Sequence, residues 1–200
     1  MKKAILLIFI LLWSSMIISK GEITRQLYGY YESAMYTNYV VKQSQDNWCT
    51  FAAIASHPDV KMLECQLATM YVTRYGVIAD CCDISQIRNY TKCVRDMSIG
   101  ISDACELAHA VGVHTSGICP LESFFEGVAR HEFRFFPYLM FIADRNPGHT
   151  GLCVGLQFLV QSSQILGVVL VWANPATGTV IQEYLDYNFL LDTEIYFMAY

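Results

Sequence analysis

The sequence predicts an α+β fold. Patterns with helical spacing come first, up to about residue 131, and short apolar runs rich in β-branched and aromatic residues follow from residue 137 onwards. Helices gathered ahead of a strand meander are the mark of that class, in which helices and an antiparallel sheet occupy separate parts of the chain.

Taken in order, residues 22–40 ("LYGYYESAMYTNY" within them) read as an irregular or partly extended lead-in. "TFAAIAS", following Cys49, reads as a short helix ended by the turn of "HPD". "MLECQLATMYVTRYG" puts Leu63, Leu67, Met70 and Tyr71 on one face at helical spacing and stops at Gly76. "SDACELAHAVG" takes Ser102 as N-cap and Gly112 as its stop, and "PLESFFEGVARH" carries Pro120 in its first turn. The strands are "PYLMFIA", "HTGLCVGLQFLV", "ILGVVLVWA", "TVIQEYL" and "EIYFMAY", separated in part by the turns "DRNPG", "QSSQ" and "NPATG".

The N-terminus has its own logic. "MKKAILLIFILLWSSMIISKG" runs from two lysines through an apolar stretch to small and polar residues, the order of a secretory signal. Its apolar core of about 15 residues falls short of the roughly 20 that span a bilayer. Ser19 and Gly21 supply small residues for a cut before Glu22, with an uncleaved anchor as the competing reading. The expected organisation is therefore a signal peptide over 1–21, the lead-in over 22–40, and one domain over 41–200, secreted or periplasmic and not inserted in a membrane after the signal is cut. The formal net charge is −5, and no Lys/Arg cluster offers a nucleic-acid footprint.

Export gives the cysteines meaning. There are eight, Cys49, Cys65, Cys81, Cys82, Cys93, Cys105, Cys119 and Cys153, and an oxidising compartment pairs most thiols. Four bridges would consume them all, Cys49 included. The alternative keeps Cys49 apart: a thiol at the start of the alanine-rich helix feels the positive end of the helix dipole, which favours the thiolate, the attacking form. A nucleophile then needs a base, a group to orient the base, and an oxyanion hole.

Of five histidines, only His149 stands after a turn at the entrance of a strongly apolar strand, in "NPGHTGLCVGL". Asn174 ends the next strand, where its side-chain carbonyl could hold the imidazole, although Asn before Pro is also ordinary turn chemistry. Cys, then His on a strand, then Asn at the end of the following strand is the order of a nucleophile–base–orienter triad. Gln43, six residues before Cys49, can add its amide to the Cys49 backbone N–H at an oxyanion, with Gln45 as the competing glutamine.

The segment "QSQDNWCTFAA" resembles the nucleophile segment of papain-like cysteine peptidases, in particular the avirulence-type secreted proteases and the bacteriocin-processing group, which carry "Q-x3-N-W-C-W-A-A". The resemblance implies a papain-like fold, with a helical half and a sheet half and the active site between them. It selects Gln43 over Gln45, because the family's oxyanion glutamine stands six before the cysteine. It selects His149 through "G-H" before a hydrophobic strand, and Asn174 through "N-P-x-x-G" where the family usually has "D-P-x-x-G". Thr50 departs from the aromatic that usually follows the cysteine. "ECQLA" and "DCCDIS" with Cys93 are also similar to a cysteine pattern common there.

Adjacent Cys81 and Cys82 should each look outward, since a vicinal ring is strained, which leaves Cys65 bridged to one and Cys93 to the other. Cys105 with Cys119 is the expected third bridge, and Cys153 the free buried thiol. A zinc site is the rival use of the cluster, but no C-x2-C pair and no histidine fall inside it. The leading expectation is a peptidase without cofactor or metal that takes a peptide or protein substrate. A cell-wall peptide amidase and an inactive, disulfide-stapled binding module are the competitors.

Overall fold

The computed structural model describes residues 23–29, 40–83, 93, 99–114, 117–129, 136–143, 148–161, 164–186 and 194–199. The expected signal peptide, most of the lead-in and His131 lie outside the described residues. The elements are β1 (Ile23–Gly29), α1 (Cys49–Ala55), α2 (Glu64–Arg74), α3 (Ile101–Ala110), β2 (Gly117–Pro120), α4 (Leu121–Ala129), β3 (Tyr138–Ile142), β4 (His149–Gln161), β5 (Gln164–Asn174), β6 (Thr179–Asp186) and β7 (Ile195–Ala199). The α+β class is as the sequence predicts.

Every strand pairing is antiparallel, in the order β2–β7–β3–β4–β5–β6, with β1 also paired to β4. Along one edge of β4 two partners sit end to end. β3 takes His149 to Cys153 and β1 takes Gly155 to Gln161, while β5 runs along the other edge. Successive strand residues point to opposite faces, so the apolar runs feed two cores. On one face Leu139, Phe141, Leu152, Val171 and Ala173 pack with Phe51 and Ile54 of α1, Leu67 of α2 and Leu107 of α3. On the other, Tyr138, Met140, Leu156, Leu170 and Phe197 pack with Phe124 and Val128 of α4. The Phe124 and Phe197 rings stack there at 3.9 Å.

β4 reaches both cores out of step with simple alternation. Cys153 pairs with Trp172 and Gly155 with Val171, so Val154 is an extra residue in a bulge. Val154 joins Leu152 in the first core, while Leu156, Phe158 and Val160 join Cys153 in the second.

Several expectations are corrected. Ser102 is exposed within α3, whose N-cap is Gly100 in extended backbone, because the helix starts at Ile101 and packs it on the core. Leu63 is also exposed, as the N-cap of α2, with its N–H held by Gln66 Oε1 at 2.8 Å. The buried line of that helix is Leu67, Ala68 and Val72, with Met70 and Tyr71 half-buried. Pro120 is the last residue of β2, a short strand absent from the sequence pattern, and the helix begins one residue later. Gly76 and Gly112 do follow α2 and α3 with positive φ, as helix stops should.

Disulfides join Cys65 to Cys82 and Cys81 to Cys93, with Cα separations of 4.9 and 5.8 Å. Each of the adjacent cysteines therefore does reach outward, and both bridges suit an oxidising compartment. The expected Cys105–Cys119 bridge is absent, because Cys105 packs against the core of α1–α3 and Cys119 against the core of α4, with the sheet between them. Cys153 is free and fully buried. Among the described residues, no helix is long and apolar enough to cross a membrane.

Candidate active site

α1 begins at Cys49 itself. Alanines at 52, 53 and 55 favour the helix, Trp48 is its N-cap, and no acidic residue in the first turn opposes a negative charge there. The helix ends at Ser56, whose hydroxyl donates to Ala52 O at 2.7 Å and accepts the N–H of Val41 at 2.9 Å. Phe51 and Ile54 bury the helix against the sheet and leave its first residue at the edge of a cleft.

That cleft, about 240 Å³, opens at the end of the sheet where β3 finishes and β4 starts. One wall is Asn47, Cys49 and Thr50. Ile99, Gly100 and Ile101 form a second, and Phe141 to Ala143 with Gly148 to Thr150 the third. Cys49 and His149 are the titratable side chains among these residues.

His149 is the first residue of β4, and its ring is held from two sides. Its Nε2 lies 2.9 Å from Asn174 Oδ1. The same Oδ1 accepts the backbone N–H of Ala176 at 3.0 Å, so it is occupied as an acceptor and Nε2 carries the hydrogen. Nδ1 is thereby left to deal with the thiol. The Trp172 ring, two residues before Asn174 on β5, meets the imidazole edge-on with centroids 5.7 Å apart.

Asn174 thus serves as turn residue and as orienter together. Its backbone carbonyl accepts the N–H groups of Thr177 and Gly178 at 3.2 and 2.8 Å, closing the "NPATG" turn. Gly178 has φ +71°, and a Cβ there would come within 2.8 Å of Lys42 Cβ, so the turn takes glycine for both reasons.

The charge balance at Cys49 is set by opposing effects. Burial pushes the thiol up, while its hydrogen bond to His149, the backbone N–H of Thr150, the His149 charge and the Thr150 hydroxyl pull it down. The pull wins, and the thiol lies below its ordinary value. The other free thiols go the opposite way. Burial raises Cys105 and Cys119 to about 11 and Cys153 to about 12, the first with help from Glu106.

Gln43 sits on a strap, residues 40–48, tied down at three points. Val41 N–H meets Ser56, Gln43 N–H donates to Pro175 O at 2.9 Å, and Ser44 N–H reaches the Glu64 carboxylate at 3.1 Å. The Gln43 amide is not among the described cleft-lining residues. Its Nε2 donates to Gln45 O at 3.2 Å, which leaves one hydrogen to give, and its Oε1 is buried with no hydrogen-bond partner among the described residues. Cys49, His149 and Asn174 therefore come together, while Gln43 lies beside the Asn174 turn.

The other histidines stand elsewhere. His57 is buried beside Asp59, and His109 and His114 are exposed. Asn47, Thr50, Thr150 and Trp172 are the neighbours that sequence reasoning did not assign to the site. Asn47 alone carried a local signal: it takes φ +68°, a backbone region that asparagine tolerates better than most residues. Comparison with protein-family models, with curated proteins and with solved structures gives no match for this chain in any of the three.

Proposed function

We propose that the protein is an exported papain-like cysteine peptidase that hydrolyses peptide bonds. One observation carries the reading: the Cys49 thiol is drawn down by His149, whose ring is in turn oriented by Asn174. A nucleophile, base and orienter in mutual reach are the parts that acyl transfer needs.

In this mechanism His149 Nδ1 takes the thiol proton, and the Cys49 sulfur attacks the carbonyl carbon of the scissile bond. The electron pair displaced onto the carbonyl oxygen meets the Cys49 backbone N–H, which has no partner within the first turn of the helix, and Gln43 would supply a second donor by turning its amide from Gln45 O into the cleft. His149 returns its proton to the departing amine nitrogen as the C–N bond breaks, leaving a thioester. Water, deprotonated by His149, then adds to the thioester and expels the thiolate. The cleft walls beyond Cys49 and His149 are uncharged, with Ile99, Ile101, Phe141 and Ile142 among them, which suits an apolar side chain next to the cut.

The test combines labelling with turnover. An epoxide probe on the folded, mildly reduced protein is expected to mark Cys49 well ahead of Cys105, Cys119 and Cys153, and a peptide library is expected to be cleaved by the native protein and not by Cys49→Ala. A Cys49 that resists the probe, with no cleavage by the native protein, overturns the proposal.

A further inference from the structure

Thr50 and Thr150 each stand one residue after a member of the candidate triad, on α1 and on β4, one hundred positions apart. Both are 4% exposed, and their hydroxyl oxygens lie 2.8 Å apart. Two hydroxyls buried in an apolar seam are costly unless both are bonded. Both threonines line the same cleft as Cys49, and the backbone N–H and hydroxyl of Thr150 are among the groups that draw the thiol down.

The directions of these bonds follow from counting protons. A hydroxyl has one hydrogen to give, and a thiolate only accepts. When Cys49 is ionised, Thr150 spends its hydrogen on the sulfur, so the hydrogen between the two hydroxyls comes from Thr50. We infer that Thr50 and Thr150 form a hydroxyl chain that ends on the Cys49 thiolate, with Thr150 a thiolate-binding catalytic residue and Thr50 the positioning residue behind it. The inference rests on the reading of Cys49 as nucleophile and adds a second donor to the one that His149 provides. It also gives Thr50 a function where the resembling family carries an aromatic: a ring there has no hydroxyl to pass on. Charge-assisted hydrogen bonds of this kind are stronger than neutral ones, so the chain acts chiefly when the sulfur is charged.

The experiment reads the sulfur directly. The rate of Cys49 alkylation by iodoacetamide is followed against pH, with His149 the other titratable group among the described residues of the cleft. In Thr150→Val the midpoint is expected to rise by about one pH unit, roughly a tenfold loss of thiolate below it, and Thr150→Ser is expected to restore the native midpoint. Thr50→Val is expected to move it in the same direction by less. The double variant with valine at both positions removes donor and acceptor together and keeps their shape, so folding is nearly unaffected while the midpoint still rises. A folded double variant with the native midpoint overturns the chain and leaves the nucleophile reading standing. An ordinary thiol midpoint in the native protein overturns that reading and this one with it.

Discussion

The indole N–H of Trp48 donates to the carbonyl oxygen of Cys93 at 2.7 Å inside the core. Cys93 is bridged to Cys81, and Trp48 caps the helix that begins with Cys49. One hydrogen bond therefore links a disulfide to the candidate nucleophile, and opening the bridge frees the backbone that holds the indole.

Reductant should therefore act in two directions. Low concentrations keep Cys49 reduced and raise activity, and high concentrations open the bridges and lower it. Cys81→Ala with Cys93→Ala is expected to cost roughly 3 kcal/mol of stability, the chain-entropy value for a loop of this order, and most of the activity. Activity that only rises with reductant, measured alongside free-thiol counts, would show that the bridge does not support the site.

Alanine substitutions sort the roles at the cleft. Cys49→Ala and His149→Ala are expected to abolish peptide hydrolysis. Gln43→Ala should leave kcat lower by a factor of about a hundred to a thousand, the usual loss for one oxyanion donor. Asn174→Ala is expected to be milder, and Asn174→Asp milder still, since a carboxylate oxygen can replace Oδ1 towards both His149 and Ala176. Native kcat/KM in the Cys49 or His149 variant would sink the mechanism.

How far the site was legible in the sequence follows from how local each feature is. Cys49 opens a helix that its own neighbours form, and His149 and Asn174 lie at the ends of strands that announce themselves by composition. Thr50 and Trp172 could not be assigned, because their partners Thr150 and His149 are set by helix-on-sheet and strand-on-strand packing. The same holds for Cys105 and Cys119, which looked pairable until the sheet came between them. Alternation within "HTGLCVGLQFLV" could not be carried through, since Val154 shifts the phase midway. Gly100 displaced Ser102 as cap because core packing of α3 outweighed a local preference.

Glu64 gives a pH dependence of stability. It is buried at the start of α2, and both carboxylate oxygens accept the Ser44 N–H, at 3.1 and 3.2 Å. Burial pushes its carboxyl above the ordinary 4.5, against the opposing pull of Ser44. The folded protein holds this proton to higher pH than the unfolded chain, so the contribution is fully present below 4.5 and is lost as pH rises through the raised value. Glu64→Gln keeps an oxygen for Ser44 and removes the titration. Its denaturation midpoint should lack that decline, and parallel native and variant curves would rule the effect out.

Gly151 is a steric requirement of the His149 support. A Cβ there would collide with the Trp172 ring and stand 3.0 Å from Ala173 O. Gly151→Ala is expected to lose about 1–3 kcal/mol of stability through overpacking, and also turnover, because the displaced ring leans on His149. Adding Trp172→Phe should recover part of the stability and little of the turnover. A native melting temperature for Gly151→Ala would show that the ring moves aside freely.

The strap that carries Gln43 has a bearing on the order of assembly. Its three ties go to the end of α1, to the start of α2 and to the turn after β5. The first two partners are 15 and 20 residues away, but Pro175 follows the end of β5, far later in the chain, and is brought in when β5 pairs with β4. Contacts that distant form late, after the loop-closure entropy has been met. A chain caught midway through folding therefore has its thiol but not the strap's tie to the Asn174 turn, and the proposed chemistry would wait on completion of the fold.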